Sequence, residues 1–547
     1  MRGIQKCSHC GHTPNTEYTI PNDIPSLQAE IQRLDTFIHE LNAQRALVLR
    51  KLNQLSSTTG ALPPELLSTI FTHAYPPPSL SPRINLQTLE ADDPVSGGPR
   101  LSIAAATAIL PDPPAREELI AKPLTLGAVC NHWRQVARET PALWSAIDLR
   151  PMPSRLSSAV AAERLGLYSQ NAGSGGLNVQ IVFHWSAALG MIDEAFERAV
   201  QPLTEVLFSP GLLSQTRILV LSNPPVAWLP YLSTGFLNLH TLALICTVPA
   251  LEHSPFSLTN VPSLRNVSIR GINNFSITLP FNQLEFLNLR DMPLDSMIQL
   301  LLFCTNLKTF RTRASTRSRV SNTQQLLASP VILNSIEYFE WQDPYDPLST
   351  RIRNLRLPSL RYLHFHEDFP TSGDEFLRNL PQDTLKTLHL TDFEYSNVLS
   401  EVLIWLPQIE TLVLEKCNSE FVTEVISLLG SSPQSPSMFG PSSSSPDFSN
   451  SFVLLPKLKT LIITSTFFMD DPSDAFSSEF FAKLARVLAD RVKRIKKAEN
   501  GEAFRLEITP VQDVLWGPEA ARILRDMLVR DALPLKIFAG GEEVKWN

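Results

Sequence analysis

The stretch Leu385-Lys386-Thr387-Leu388-His389-Leu390 decides the fold, because its apolar spacing returns along the chain. The same spacing occurs at Leu239-Leu242-Leu244, Leu264-Val267-Ile269, Leu284-Leu287-Leu289 and Ile336-Phe339-Trp341. It continues at Leu360-Leu363-Phe365, Ile409-Leu412-Leu414 and Leu458-Leu461-Ile463. Leu307-Lys308-Thr309-Phe310 is a weaker copy, with polar Thr312 at its last position. Starts are mostly 20 to 29 residues apart, and the one gap of 49, from Ile409 to Leu458, holds a serine/proline-rich tract. Alternating apolar residues over so short a run specify a strand with one buried face. The rest of each repeat returns the chain over the other side of the strand, with helix-like spacing at Phe376-Leu377-Leu380 and Val398-Val402-Leu403-Leu406. No single repeat can bury its own apolar side, so neighbours must stack, with a parallel sheet lining one face. Proline marks the phase, at Pro262, Pro358, Pro407 and Pro456 just ahead of apolar runs.

Eight clear copies at a rhythm of about 24 residues resemble the leucine-rich-repeat family over roughly residues 210–510. One departure is visible. The Asn or Cys which that family places three residues beyond the third apolar position occurs only as Cys417, with Thr247, Ile272, Met292 and Phe393 elsewhere. An irregular solenoid is therefore expected, without a buried polar ladder. Val179 to Phe183 and Arg217 to Leu221 are read as degenerate first repeats.

Residues 62–71 read Leu-Pro-Pro-Glu-Leu-Leu-Ser-Thr-Ile-Phe. Pro63 and Pro64 suit a helix first turn, and Glu65 favours the positive end of the helix dipole. Leu126, Val129, Cys130, Trp133, Val136 and Ala137 follow at helix spacing, then Pro141-Ala142-Leu143-Trp144. These two parts resemble the F-box family. The resemblance implies docking on the Skp-type adaptor of a cullin ubiquitin-ligase core, through Leu62, Pro63, Glu65, Leu66, Ile70, Phe71, Val129, Cys130, Trp133, Leu143 and Trp144. About 40 residues of short helices cannot bury a self-sufficient core, and the leftover apolar surface needs a partner. Here residues 76–122, proline-rich and read as a disordered insertion, separate parts that the family joins by a short link.

Upstream, Leu27, Ile31, Leu34, Ile38, Leu41, Arg45, Val48, Leu52 and Leu55 keep strict 4-3 spacing. This is either a coiled coil, opening the way to a dimer through 27–55, or an amphipathic helix packed on the 60–150 domain or the first repeats. The expected organisation is a flexible tail 1–23, this helix at 24–57, an F-box-like domain at 60–150, a solenoid at 151–510 with a loop at 431–451, and a C-terminal cap at 511–547. The fold class is α/β, a short helical domain followed by an irregular repeat solenoid with a parallel concave sheet.

With 547 residues, 43% apolar content and a net charge of -7, a buried core is affordable and a nucleic-acid partner is not expected. Six cysteines are too sparse for a disulfide scaffold. No apolar run reaches membrane-span length, and Met1-Arg2-Gly3-Ile4-Gln5-Lys6 lacks a signal-peptide core, so a cytosolic or nuclear protein is expected. Cys7-Ser8-His9-Cys10-Gly11-His12 supplies only part of a four-ligand zinc site, and no metal or cofactor is expected. The basic stretch Lys483–Lys497 reads as a capping helix, and Gly173-Ser174-Gly175-Gly176 as a turn rather than a phosphate loop. No motif of an enzyme is found, and no catalytic residue is expected.

In the repeat pattern the residue after the third apolar position points to the concave side. Arg270, Arg290 and Arg313 occupy it in three successive repeats, with Arg311 beside them and His364, His366 and His389 further along. Neighbouring strands lie about 4.8 Å apart, so such a column repels itself unless anionic groups meet it. Two readings follow. The residues grip an acidic or phosphorylated target segment, or they form a solvated, locally salt-bridged row with Glu285 and Asp291.

Overall fold

A computed structural model of the chain describes residues 23–56, 62–75, 122–152, 154–183, 193–233, 235–246, 256–258, 260–272, 277–314, 329–343, 352, 354–367, 374–393, 403, 406–430, 454–464, 478–497, 503–509, 518–526, 535–539 and 542–543. The expected tail with its Cys7–His12 cluster, the insertion and the serine/proline-rich loop lie outside the described residues, apart from Asp23 and Lys122 at their edges. Two compact units divide between Trp144 and Ser145.

The first unit is helical. Helix α1 (Ile24–Ser56) is followed by α2 (Pro64–Ala74), α3 (Lys122–Val129), α4 (Asn131–Arg138) and a 3-10 turn, Pro141–Trp144. Sequence spacing predicts one helix through Cys130, but the chain breaks there. Cys130 is fully extended, and its thiol accepts the Trp133 amide at 3.4 Å, so it caps α4 instead of continuing α3. Arg134 ties the two helices by donating to the Gly127 carbonyl at 2.7 Å. Leu67, Phe71, Leu126, Val136, Ala137, Leu143 and Trp144 are buried. Phe71 packs on Trp133 at 4.9 Å, and the Trp144 indole donates to the Ala137 carbonyl at 2.6 Å.

In the second unit, fourteen strands form a parallel sheet: β1 (Ala146–Leu149), β2 (Leu177–Val182), β3 (Thr216–Ser222), β4 (Thr241–Ile245), β5 (Asn266–Arg270), β6 (Phe286–Met292), β7 (Thr309–Ala314), β8 (Tyr338–Asp343), β9 (Tyr362–Glu367), β10 (Thr387–Thr391), β11 (Thr411–Glu415), β12 (Thr460–Thr464), β13 (Phe504–Thr509) and β14 (Leu535–Ala539). Each bonds to the strand of this sheet before and after it in sequence, and β15 (Glu542–Glu543) ends the sheet antiparallel to β14. The sheet reaches beyond the expected 151–510 at both ends. It starts at Ala146, inside the stretch assigned to the helical domain, and takes in Leu535–Ala539 from the expected cap.

Register explains why the strands stay in order. Ile147, Val179, Leu219, Leu242, Val267, Leu287, Phe310, Phe339, Leu363, Leu388, Leu412, Leu461, Leu506 and Ile537 are successive partners, one per strand. Every one is at most 2% exposed. A slip of one residue would turn a strand's apolar set away from this column. The weak copy is a full member: Thr312 is buried, and its hydroxyl donates to the Met297 sulfur. The positions that lack Asn are filled by buried apolar residues, Ile272, Met292 and Phe393, and Cys417 lies buried beside the Leu390 carbonyl.

Behind the strands, helices α5 (Arg155–Asn171) and α6 (Asp193–Leu207) pack on each other. Further along, α7 (Leu294–Phe303), α8 (Ser419–Gly430) and α9 (Ser478–Lys497) bury one apolar face each, with Met297, Ile298 and Leu301 on α7 and Leu484, Leu488 and Val492 on α9. The basic helix α9 also buries Arg491, which donates to the carbonyls of Leu454 and Leu455. No described helix is long and apolar enough to cross a membrane.

The chain leaves several strands through one left-handed residue. Asn223, Gly271, Asp291, Asp392 and Lys416 all have φ between 52° and 75°, each directly after the strand's third polar-face position. At Gly271 a Cβ would overlap the Cys246 carbonyl oxygen. Gly271→Ala is expected to destabilise the fold by more than about 2 kcal/mol, since both the φ angle and the space forbid a side chain. Urea unfolding followed by circular dichroism measures it, whereas Asn223→Gly is expected to change stability by less than about 1 kcal/mol.

Candidate functional site

Two surfaces collect the sequence-predicted residues. On the helical unit, Leu66, Ile70 and Val129 are 52%, 49% and 46% exposed. Pro63 and Glu65 are exposed at the start of α2, and Leu62 is half-buried. Cys130 and Trp133 are half-buried. Phe71, Leu143 and Trp144 are buried, and their side chains fill the inside of the unit. The same α2 turn therefore divides its apolar residues, with Leu67 and Phe71 inward and Leu66 and Ile70 outward.

The second surface is the polar face of the sheet, opposite the apolar column. Parallel register places Arg270, Arg290, Arg313, Gln342, His366, Thr391 and Glu415 in one line across successive strands. The adjacent line runs Asn288, Arg311, Glu340, His364 and His389. The predicted arginines and histidines are thus brought together, but most are matched by acids.

Glu340 sits at the centre. Its oxygens lie 3.4 Å from Arg311 Nε, 3.9 Å from Arg290 Nη2 and 3.8 Å from His364 Nδ1, and the Tyr338 hydroxyl donates to it at 2.8 Å. Burial works to raise the Glu340 carboxyl, yet contact with His364 and the charge of Arg311 hold it down at about 2. Arg290 is buried, which pulls its guanidinium below the usual value while Glu340 acts the other way. Arg311 also lies over the Tyr338 ring at 4.8 Å, and Tyr338 stacks on Tyr362 at 4.4 Å. Burial pushes the Tyr362 hydroxyl up to about 12.

The left-handed aspartates serve the same end. Asp291 reaches the Arg270 Nε at 2.6 Å, and Asp392 pairs with His366. In each case an acid at the end of one strand pairs with a basic side chain on the strand before it. His389 donates from Nε2 to Glu415 at 2.8 Å, while the Tyr362 hydroxyl meets its Nδ1 at 3.1 Å. Burial lowers His389 below the ordinary histidine value, and the hydrogen bond from His389 lowers Glu415, so the pair is a neutral imidazole on a carboxylate. Arg313 has no acidic partner within 4.0 Å among the described residues. Glu285 pairs elsewhere, with Lys308 at 2.9 Å.

Sequence reasoning missed Glu340, Asp392 and Glu415. Glu340 stands between Phe339 and Trp341, both buried, and strand alternation alone would have turned it to the polar face. The Gly173–Gly175 stretch is a 3-10 turn, as expected.

Glu340→Gln is expected to cost on the order of 3 kcal/mol at pH 7, from a carboxyl near 2 against an unfolded value near 4.5. A depressed carboxyl stabilises above its unfolded value and loses that contribution as pH falls through 4.5 toward 2. The gap between wild type and variant is therefore expected to close over that window, as measured by guanidinium unfolding at pH 7 and pH 3.

No protein-family model matches the chain, and no curated protein matches it in sequence.

Proposed function

We propose that the chain is a non-enzymatic recruiting adaptor of a cullin-type ubiquitin ligase. In this reading the helical unit is an F-box that docks on the Skp-type adaptor, and the sheet is the inner wall of a leucine-rich-repeat solenoid that holds the target protein. The observation that carries it is the split of α2, with Leu67 and Phe71 in a small core and Leu66 and Ile70 left outside. Exposed apolar residues on a unit of this size ask for a protein partner, and Leu66 and Ile70 are among the positions that the F-box resemblance implies as contacts. The repeat strands support the second half, because a parallel sheet with polar residues on one face offers a long binding wall on a rigid frame.

The mechanism is proximity: holding the target near a transfer enzyme raises its local concentration, and no residue of this chain does chemistry. Arg313 is the cation on that wall best placed to meet an acidic target, since Arg270 is paired with Asp291 and Arg290 and Arg311 are committed to Glu340. A ligase-independent interaction scaffold is the alternative. It shares the repeats but not the docking surface.

Binding of the full chain to a purified Skp-type adaptor separates the two. Micromolar or tighter binding is expected, weakened at least about tenfold by Leu66→Ala with Ile70→Ala, each of which loses desolvated apolar contact. Both residues are exposed, so the fold is expected to survive. A folded wild-type chain that does not bind leaves the scaffold.

A further inference from the structure

Three successive strands carry His364, His389 and Glu415, and one donor atom of each lies within 4.8 Å of the other two. The two imidazoles stack face to face, 3.8 Å between centroids and 5° from parallel. Their Nε2 atoms lean the same way: His389 Nε2 lies 2.8 Å from Glu415, and His364 Nε2 lies 2.9 Å from the Thr391 hydroxyl. The other nitrogens face a different set of groups. His389 Nδ1 meets the Tyr362 hydroxyl at 3.1 Å, and His364 Nδ1 faces Glu340 at 3.8 Å. Metal-ligating histidines need this division, one nitrogen toward the cation and the other held by a hydroxyl or carboxylate that fixes the ring.

We propose that His364, His389 and Glu415 form a site for a zinc-class divalent cation, with Thr391 beside the fourth position. Two imidazoles and one carboxylate suit zinc and its neighbours, whereas magnesium and calcium prefer oxygen ligands throughout. Glu415 and Glu340 supply the negative charge, and Glu340 stands between the site and Arg311. On binding, the rings tilt out of their stack, since parallel planes 3.8 Å apart cannot both aim an in-plane lone pair at one cation, and the cation replaces the proton between His389 Nε2 and Glu415. That proton moves to Nδ1, and the Tyr362 hydroxyl turns from donor to acceptor. The site is independent of the ubiquitin-ligase reading.

The test is calorimetric titration of Zn2+ into the full chain carrying Cys7→Ser and Cys10→Ser, which removes the N-terminal cysteines as competing ligands. One equivalent taken up with micromolar or tighter affinity is expected, with Mg2+ inert. His389→Ala or Glu415→Gln is expected to abolish uptake, and Tyr362→Phe to weaken it about tenfold. Circular dichroism checks that each variant is folded. No uptake by the folded parent, or uptake unchanged in His389→Ala, overturns the site.

Helix α1 supports a second inference on separate grounds. Its seam residues Ile31, Leu34, Ile38, Leu41, Val48 and Leu52 are all exposed, from 38% at Leu34 to 69% at Val48. The helix is 33 residues long, about 50 Å. We infer that a second copy of this chain covers the seam, and that the two helices run antiparallel. Charge decides the direction. In a parallel pair Arg45 would meet its own copy in the core, and Glu30 would face Asp35 of the second copy. In an antiparallel pair with Ile38 against Leu41 of the second copy, Arg45 packs on Leu34 and Glu30 faces Lys51 on both sides.

Mass photometry and sedimentation equilibrium of the full chain test this. A dimer is expected, monomeric after Ile38→Lys with Leu41→Lys. Lys51→Glu is expected to weaken it about fivefold, and adding Glu30→Lys to restore it, from two exposed charge pairs per dimer. A monomeric wild type overturns the dimer. Tighter association in Glu30→Lys alone, which would relieve the repulsion from Asp35, overturns the antiparallel direction.

Discussion

One apolar side chain per strand, stacked without a break from Ile147 to Ile537, is the constraint on which the second unit depends. Parallel register puts these residues on top of one another, and each is sealed by the neighbours before and after it. Full burial of a side chain of this size contributes roughly 1.5–3 kcal/mol, which no strand collects alone. The contacts run between sequence neighbours, so the order of the strands in the sheet is the order in the chain. The end of each strand has to turn sharply to keep this spacing, and that is why left-handed residues recur at one phase.

The polar face is set by a different demand. Cations at adjacent strand positions repel across a few ångströms, and half-buried ones cannot be screened by salt. The chain answers with an acid for most of the arginines, Glu340 at Arg290 and Arg311 and Asp291 at Arg270, and acids also meet the histidines, Glu340 at His364, Asp392 at His366 and Glu415 at His389. Stacked rings at Tyr338–Tyr362 and His364–His389 fill the space between these charges.

Much of the frame could be read in advance, because strand periodicity is local. Leu242, Leu287, Leu388 and their counterparts announce buried positions within six residues each, and all are buried. The ends were harder. Ala146–Leu149 and Leu535–Ala539 carry the alternation without the leading leucine, and only pairing with a neighbour marks them as part of the sheet. The break at Cys130 was hidden because a thiol is an uncommon cap. The arginine line was legible, since phase fixes which face a residue takes. Its neutralisation was not, because Glu340, Asp392 and Glu415 lie one strand or more away in sequence and only register brings them in. The same holds for Phe71, Leu143 and Trp144, whose inward turn depends on how short helices meet rather than on any local pattern.

Alternation along a strand keeps two kinds of change apart. On β10, Leu388 and Leu390 belong to the stack, while His389 between them touches only the polar face. A substitution at the middle residue alters what the surface offers and leaves the frame standing. A substitution at either flank does the reverse. In a lineage, the first kind can accumulate quickly and the second hardly at all. Whole repeats can also be gained or lost as units, since each strand is fitted to a shared spacing rather than to one particular neighbour. The molecule is thus built to be rewritten in its contacts while remaining the same in its construction.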